Sequence, residues 1–345
     1  MRLGIIGLPQ AGKSTVFEAL AGARGESSQQ KTGRQDHRIG TVRVADRRVD
    51  FLSDVYKPKK TAYAQVEYLL PSKAASGTSE DAAWNQVRAC DALIHVIRNF
   101  RGAMGLDPFP ERDFRRLEEE MVILDLSVVE KKLERMELDA KRGKKPDEEL
   151  KGLMEKSKAL LEDNMPLRSD HDLASAPALR GFTFLSAKPV LLVVNNDDED
   201  LDEPNWENRP EDLEILVVRG RLEKELAALG PEEAEEFMEA YGVESSALDR
   251  VIRKSYELLD LISFFTVGED EVKAWTIPRG TQALEAAGVI HSDIQQGFIR
   301  AEVLSFEDFK RLGGFQEAKR SGEVRLEGKE YVVQDGDIVH FRFNI

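Results

Sequence analysis

One short loop near the start of the chain limits what the rest can fold into: Gly7-Leu-Pro-Gln-Ala-Gly12-Lys13-Ser14. It satisfies the spacing G-x-x-x-x-G-K-[ST], follows the apolar run Arg2–Gly7 and precedes a helix expected over Lys13–Ala21. The two glycines let the backbone curl so that successive N–H groups face inward, and the helix adds the positive end of its dipole. Such a nest takes phosphate. Pro9, Gln10, Ala11, Gly12, Lys13, Ser14 and Thr15 are therefore the expected nucleotide-binding residues, with ATP or GTP as ligand. Lys13 is expected to reach the β- and γ-phosphates and Ser14 to offer its hydroxyl to Mg²⁺. A strand, a phosphate loop and a helix in this order imply an α/β domain with a mostly parallel sheet.

The remaining strands of that domain can be read from the sequence. Asp91–Arg98 and Pro189–Val194 are continuous apolar runs typical of central parallel strands. Val42–Val44, Tyr63–Leu70 and Ile215–Val218 read as further strands, and the polar stretch Gly22–Gly40 as a mobile loop. Between the two central strands, Leu117, Met121, Leu124, Val128, Leu133 and Met136 recur at helical spacing. A break at Lys141-Arg-Gly-Lys-Lys-Pro146 and a second helix over Glu148–Leu161 predict an inserted antiparallel hairpin, a coiled coil. Beyond the acidic stretch Asp197–Glu214, helices are expected at Leu222–Leu229, Glu232–Tyr241 and Ser246–Leu259. From Leu261 the texture changes to short strands at Ser263–Val267, Lys273–Ile277, Gly297–Leu304, Tyr331–Val333 and Ile338–Phe343, with a helix near Gln282–Ala287. The expected domains are 1–110 with 166–260, an insertion at 111–165, and a small β domain at 261–345.

Composition narrows the function classes. No apolar run approaches the roughly 18 residues of a membrane-spanning helix, so no membrane partner is expected. Cys90 is the only cysteine, which excludes an internal disulfide and a cysteine-rich metal site, and the cytoplasm is the expected compartment. The net charge of −15 argues against wholesale adhesion to nucleic acid. The charge is uneven, however: residues 1–60 hold 12 Lys/Arg and 6 Asp/Glu, a surplus of +6 that leaves −21 for the remainder.

Asn195-Asn196-Asp197-Asp198 ends the second central strand, where GTPases carry Asn-Lys-x-Asp. Asn195, Asn196 and Asp198 are thus candidates for reading the base, and an Asp carboxylate in the fourth place can accept from both N1–H and N2–H₂ of guanine. Ser186-Ala-Lys188 imitates a base-contacting loop but precedes the Asn195 strand, the wrong order. Arg219-Gly220-Arg221 follows the next strand. There the Gly220 N–H is expected to face the base with Arg221 stacked on it, a plain strand-to-helix turn being an equal alternative. His95 and His340 read as core histidines, and Trp275 and Phe298 as packing residues of the small domain.

The C-terminal third carries a resemblance. Lys273-Ala-Trp-Thr-Ile-Pro-Arg-Gly-Thr281, Ala287-Gly-Val-Ile-His-Ser-Asp293, Gly297-Phe-Ile-Arg-Ala-Glu-Val303 and Tyr331-Val-Val-Gln-Asp-Gly-Asp-Ile-Val-His-Phe-Arg-Phe343 resemble the TGS domain of the YchF, or Obg-like ATPase, family. Tyr56-Lys-Pro-Lys-Lys60 and Cys90-Asp-Ala-Leu-Ile-His-Val-Ile97 are similar to that family as well. The resemblance implies a P-loop G domain, a coiled-coil insertion and a C-terminal β-grasp, ubiquitin-like TGS domain. It also implies slow nucleotide hydrolysis and association with the ribosome or ribosomal RNA; a monomer is expected.

Departures from the family pattern fall on the switches. Its Asp-x-Ala-Gly would place Asp at Leu70 and Gly at Lys73, and its metal-completing Thr would fall on Arg34, with Thr32 nearby. Leucine cannot hold a metal's water shell, so the Mg²⁺ site is expected to be weakened and no catalytic residue is assigned. Family members usually carry Glu where Asp198 stands and use ATP, whereas Asp198 itself favours GTP; both remain open. Two readings follow: a slow ribosome-associated ATPase or GTPase, or a pseudo-GTPase scaffold that binds nucleotide without significant hydrolysis. The basic run Lys141–Lys145 at the hairpin tip is a candidate RNA contact.

Overall fold

Along the chain the elements begin with β1 (Arg2–Ile6), α1 (Lys13–Arg24), β2 (Gly25–Ser28), β3 (Lys31–Thr32), β4 (Gln35–Asp36), β5 (Arg38–Arg43), α2 (Arg47–Tyr56), β6 (Lys60–Ala62), β7 (Gln65–Leu70) and α3 (Glu80–Arg88). They continue with β8 (Ala92–Asn99), α4 (Pro110–Lys141), α5 (Glu148–Glu162), α6 (His171–Ser175), β9 (Val190–Asn196), β10 (Ile215–Val218), α7 (Gly220–Ala227), α8 (Pro231–Ala240) and α9 (Ala247–Leu258). The C-terminal part adds β11 (Leu261–Thr266), β12 (Glu271–Pro278), α10 (Ala283–Ile290), α11 (Ser292–Gln296), β13 (Phe298–Ser305), α12 (Phe306–Leu312), α13 (Phe315–Arg320), β14 (Arg325–Glu327) and β15 (Asp337–Phe343). The structure, a computed structural model, describes residues 1–28, 31–32, 35–72, 80–102, 105–145, 147–210, 212–241 and 246–344. Of the residues singled out above, Arg34, Lys73 and Pro146 lie outside the described residues.

The chain divides into two units, residues 1–41 with 67–251, and residues 42–66 with 252–345. The first is built on a seven-stranded sheet of order β10-β9-β8-β1-β7-β5-β2. Its centre is parallel: β1 pairs with β7 and β8, β8 with β9, and β9 with β10. The residues Leu93–Ile97 and Val190–Val194 are buried on both faces of this sheet, which explains why their sequence is apolar apart from His95. Between β8 and β9 rises the hairpin. Pro110 opens α4, with Glu111 and Asp113 in its first turn to complement the dipole. Gly143, at φ 85°, turns the chain, and the Asp147 carboxylate caps α5 through the Leu150 N–H at 3.1 Å. The two helices join over Val122, Val129, Met154 and Leu161.

At the hairpin's root sits a fully buried carboxylate, Asp125. It accepts from the Leu185 N–H at 3.0 Å, the Ser186 N–H at 2.7 Å, the Ser186 hydroxyl at 2.8 Å and Arg88 at 3.0 Å. Ser186 is thereby consumed in anchoring the insertion, consistent with its exclusion as a base contact.

The second unit is a six-stranded sheet, β14-β13-β15-β11-β12-β6, with α10 packed on it through Ala283, Ala286 and Ala287. The β11–β12 hairpin, the crossover helix and β15 parallel to β11 make the β-grasp arrangement. Two features differ from the sequence reading. Tyr331–Val333 forms no strand, only an isolated bridge from Val332 to Gln282, while β14 supplies the edge. Residues 42–66, read as part of the first domain, cluster with the C-terminal unit: β6 extends its sheet beside β12, and α2 joins it through Phe51 against Phe306 and Tyr56 against Phe309.

Candidate nucleotide site

β1 delivers the chain to the phosphate loop at its C-terminal end, the edge where open parallel sheets bind ligands. The loop's shape is imposed by residues in left-handed backbone conformations: Gly7 at φ 149°, Gln10 at φ 64° and Gly12 at φ 93°. A side chain on Gly7 would put its Cβ 2.3 Å from the Val96 carbonyl oxygen. The loop closes with the Ala11 N–H donating to Leu8 O at 3.2 Å and the Val16 N–H to Gly12 O at 2.9 Å. α1 starts at Lys13 with no acidic residue in its first turn, so the positive end of its dipole is unopposed. The Lys13 ammonium folds back over the loop and donates to Gly7 O at 2.7 Å and Leu8 O at 2.8 Å. Pro9 and Gln10 are exposed, Ala11 is buried, and Ser14 and Thr15 are partly exposed on the first turn.

Asn195 ties the loop to the far side of the site. Its amide is 4% exposed; Nδ2 donates to Ala11 O at 3.2 Å while Oδ1 accepts from the Gly220 N–H at 2.9 Å. A Cβ on Gly12 would lie 2.1 Å from Asn195 Nδ2, and one on Gly220 would lie 2.7 Å from Asn195 Oδ1. Both glycines are needed for this close approach. The Gly220 N–H, expected to face the base, is instead spent on Asn195. That is a correction with a plain cause: the buried amide needs a donor, and Gly220 is the residue the backbone brings to it.

Asn196 is likewise engaged within the protein. It is buried, accepts from Asn99 at 2.9 Å and donates to the carbonyls of Asp200 at 3.2 Å and Asp202 at 2.8 Å. These bonds hold the acidic loop and occupy the amide that was expected to read the base. Asn99 escaped the sequence reading, although its place opposite Asn196 at the ends of two paired strands was the available signal. Asp198 keeps a partly exposed carboxylate. Its main-chain oxygen accepts from Arg219 at 3.1 Å, and its Oδ2 lies 3.7 Å from Arg221 Nε.

Below the loop, in β8, the fully buried His95 faces Phe114 at a ring separation of 5.7 Å. Burial, with the positive fields of Arg168 and Lys13 added, pushes its pKa down to about 3, so the imidazole is neutral. Leu70 ends β7 as a buried residue, in the place where the family pattern puts a metal-organising carboxylate. Among the described residues no group of three or more His, Cys, Asp or Glu is arranged to hold a metal. No helix among them is long and apolar enough to cross a membrane.

Comparison with known proteins agrees with this geometry. Residues 2–134 match the family described as 50S ribosome-binding GTPase, and residues 261–344 match the YchF-type GTPase C-terminal family, itself described as of unknown function. The chain is 36% identical over 363 residues to the ribosome-binding ATPase YchF of Bacillus subtilis, covering 99% of each. It is 35% identical over 367 residues to Obg-like ATPase 1 of Oryza sativa subsp. japonica, covering 100% of this chain and 92% of that one. Its fold matches the structure of the Schizosaccharomyces pombe YchF GTPase with a TM-score of 0.83 at 31% identity, over 99% of this chain and 97% of the other. Similar over its full length to bacterial, plant and yeast members, the chain belongs to the YchF family of Obg-like ATPases.

Proposed function

We propose that this protein binds ATP through Gly7–Thr15, hydrolyses it slowly, and works on the ribosome in the cytoplasm as a monomer. The observation that supports binding is the loop itself: three left-handed residues, an unopposed helix N-terminus and a lysine folded over the nest. Anchoring by Asn195 holds that loop in place before any ligand arrives, so little ordering is left to oppose binding.

Adenine is favoured over guanine by the surroundings of Asp198. Guanine would need both carboxylate oxygens as acceptors, and here Arg221 Nε stands 3.7 Å from Oδ2 and competes for them. The relatives named above as ATPases agree with that choice. Ser14 and the nucleotide's own phosphate oxygens would hold Mg²⁺, whose chemistry is to neutralise charge developing on the β- and γ-oxygens. Leu70 offers no oxygen to the metal's water shell, and this supports slow turnover. The same residue favours the second reading, a nucleotide-binding scaffold without significant hydrolysis, and a turnover measurement separates the two.

Isothermal titration with ATP and GTP, each with and without Mg²⁺, tests the proposal. Tight binding is expected for ATP, weaker for GTP, with a modest dependence on the metal. Lys13→Ala should weaken ATP binding by about 2–5 kcal/mol, the range for removing one member of a desolvated charge pair. Equal affinity in that variant would refute phosphate binding at this loop.

A further inference from the structure

The second unit carries a cleft unrelated to the phosphate loop. β11 ends at Thr266 and turns into β12, so β15 bridges it at a single pair, Phe265↔Ile338. β15 runs on to Phe343 with β13 as its ladder partner on the other side. Along His340–Phe343 the edge turned away from β13 thus has no strand beside it among the described residues. There a cleft of about 570 Å³ opens, within the range of ligand sites. Trp275, Ile290 and Ile294, members of the apolar cluster under α10, line one side; Tyr56, Phe315 and Lys319 line the other.

Three demands converge on an occupant. Main-chain N–H and C=O groups of alternate residues along β15 need partners, and another backbone in extended conformation supplies them at matching intervals. The α10 side is apolar and takes apolar side chains. On the α13 side one carboxylate, Glu302, with only 5% of its side chain exposed, is shared by Lys319 at 2.9 Å and by Arg342. Two cations around one acid leave a positive charge over, and Lys319 is half exposed. A flat small molecule would fill the walls yet leave the strand edge unpaired.

We propose that this cleft is a strand-addition site for an extended polypeptide segment of alternating apolar and acidic residues, paired along His340–Phe343 of β15. The segment's apolar side chains pack against Trp275, Ile290 and Phe341, and its carboxylates meet Lys319.

The test uses the full chain and an end-blocked, fluorescein-labelled peptide, Ser-Glu-Val-Glu-Ile-Glu-Ser, read by anisotropy. Saturable binding is expected, weakened at least tenfold by Phe343→Asp and by Lys319→Glu. Phe343 is 42% exposed, so its change does not reach the core; Arg342 still pairs with Glu302 when Lys319 is changed, and far-UV circular dichroism checks that both variants are folded. Two further peptides carry N-methyl groups on alternate residues, one set on each edge. Strand addition requires that one set abolish binding and the other leave it intact. Equal binding of both N-methylated peptides, or no saturation at millimolar peptide, overturns the proposal.

Discussion

Asn195 shows how much one amide can organise. Its donor and acceptor serve two backbone segments that are distant in sequence, Ala11 and Gly220, and both partners are buried with it. Asn195→Ala leaves an unpaired carbonyl and an unpaired N–H, each costing about 1–3 kcal/mol. We expect the urea midpoint to fall at unchanged slope and ATP affinity to drop, although residue 195 need not touch the nucleotide. Unaltered stability in that variant would show that water replaces the amide. A second residue-scale prediction concerns His95. Its folded pKa of about 3 lies well below the ordinary histidine value of 6.5, so between those pH values the unfolded chain binds more protons than the folded one. Stability is therefore fully present above pH 6.5 and lost as pH falls toward 3, by up to about 1.4 kcal/mol per pH unit. Urea titrations at pH 7 and pH 5 should show a smaller loss for His95→Leu than for the wild type. An identical pH dependence in the two would mean that His95 is already protonated or more hydrated than its burial implies.

At the scale of elements, the hairpin is an arm with a charged end. Lys141, Arg142, Gly143, Lys144 and Lys145 are all exposed, and Lys144 pairs with Asp139 at 2.9 Å. If the tip touches ribosomal RNA, counterion release makes the contact fall steeply with salt. Lys141, Arg142, Lys144 and Lys145 changed together to Glu should abolish co-sedimentation with ribosomes at low salt while leaving ATP binding unchanged. Pelleting equal to wild type would move the contact elsewhere. This arm was legible in the sequence because its apolar residues recur over many turns, and β8 and β9 because central parallel strands are apolar throughout. Short elements were not. α12 lacked the length for a periodic signal, yet its boundaries were written: Ser305 accepts from the Asp308 N–H at 3.1 Å, and Gly313 closes the helix at φ 83°. The phosphate loop was legible from its motif, whereas the roles of Asn196 and Gly220 were not. Motifs give the residue types at a site, and only packing decides which of their polar groups are consumed internally.

For the whole molecule, the interrupted path of the chain has practical weight. Residues 42–66 fold with 252–345, held by Arg48 between Asp46 and Asp335 at 2.8 Å and by Phe51 against Phe306. Removing 261–345 would strip α2 of the surfaces that bury Val49 and Leu52. We expect that truncation to bind the dye ANS and to aggregate, whereas a truncation that also replaces 42–66 by a short polar linker should lose the dye signal. Failure of the linker to suppress dye binding would place the exposed apolar surface elsewhere. Synthesis from the N-terminus imposes a further consequence. α2 and β6 leave the ribosome long before any other strand of that sheet has been translated, while the first unit can already collect its core. During that interval the newborn polypeptide carries an unsheltered amphipathic loop, and β15, the last of that sheet's strands in chain order, is the one that completes the sheet awaiting it.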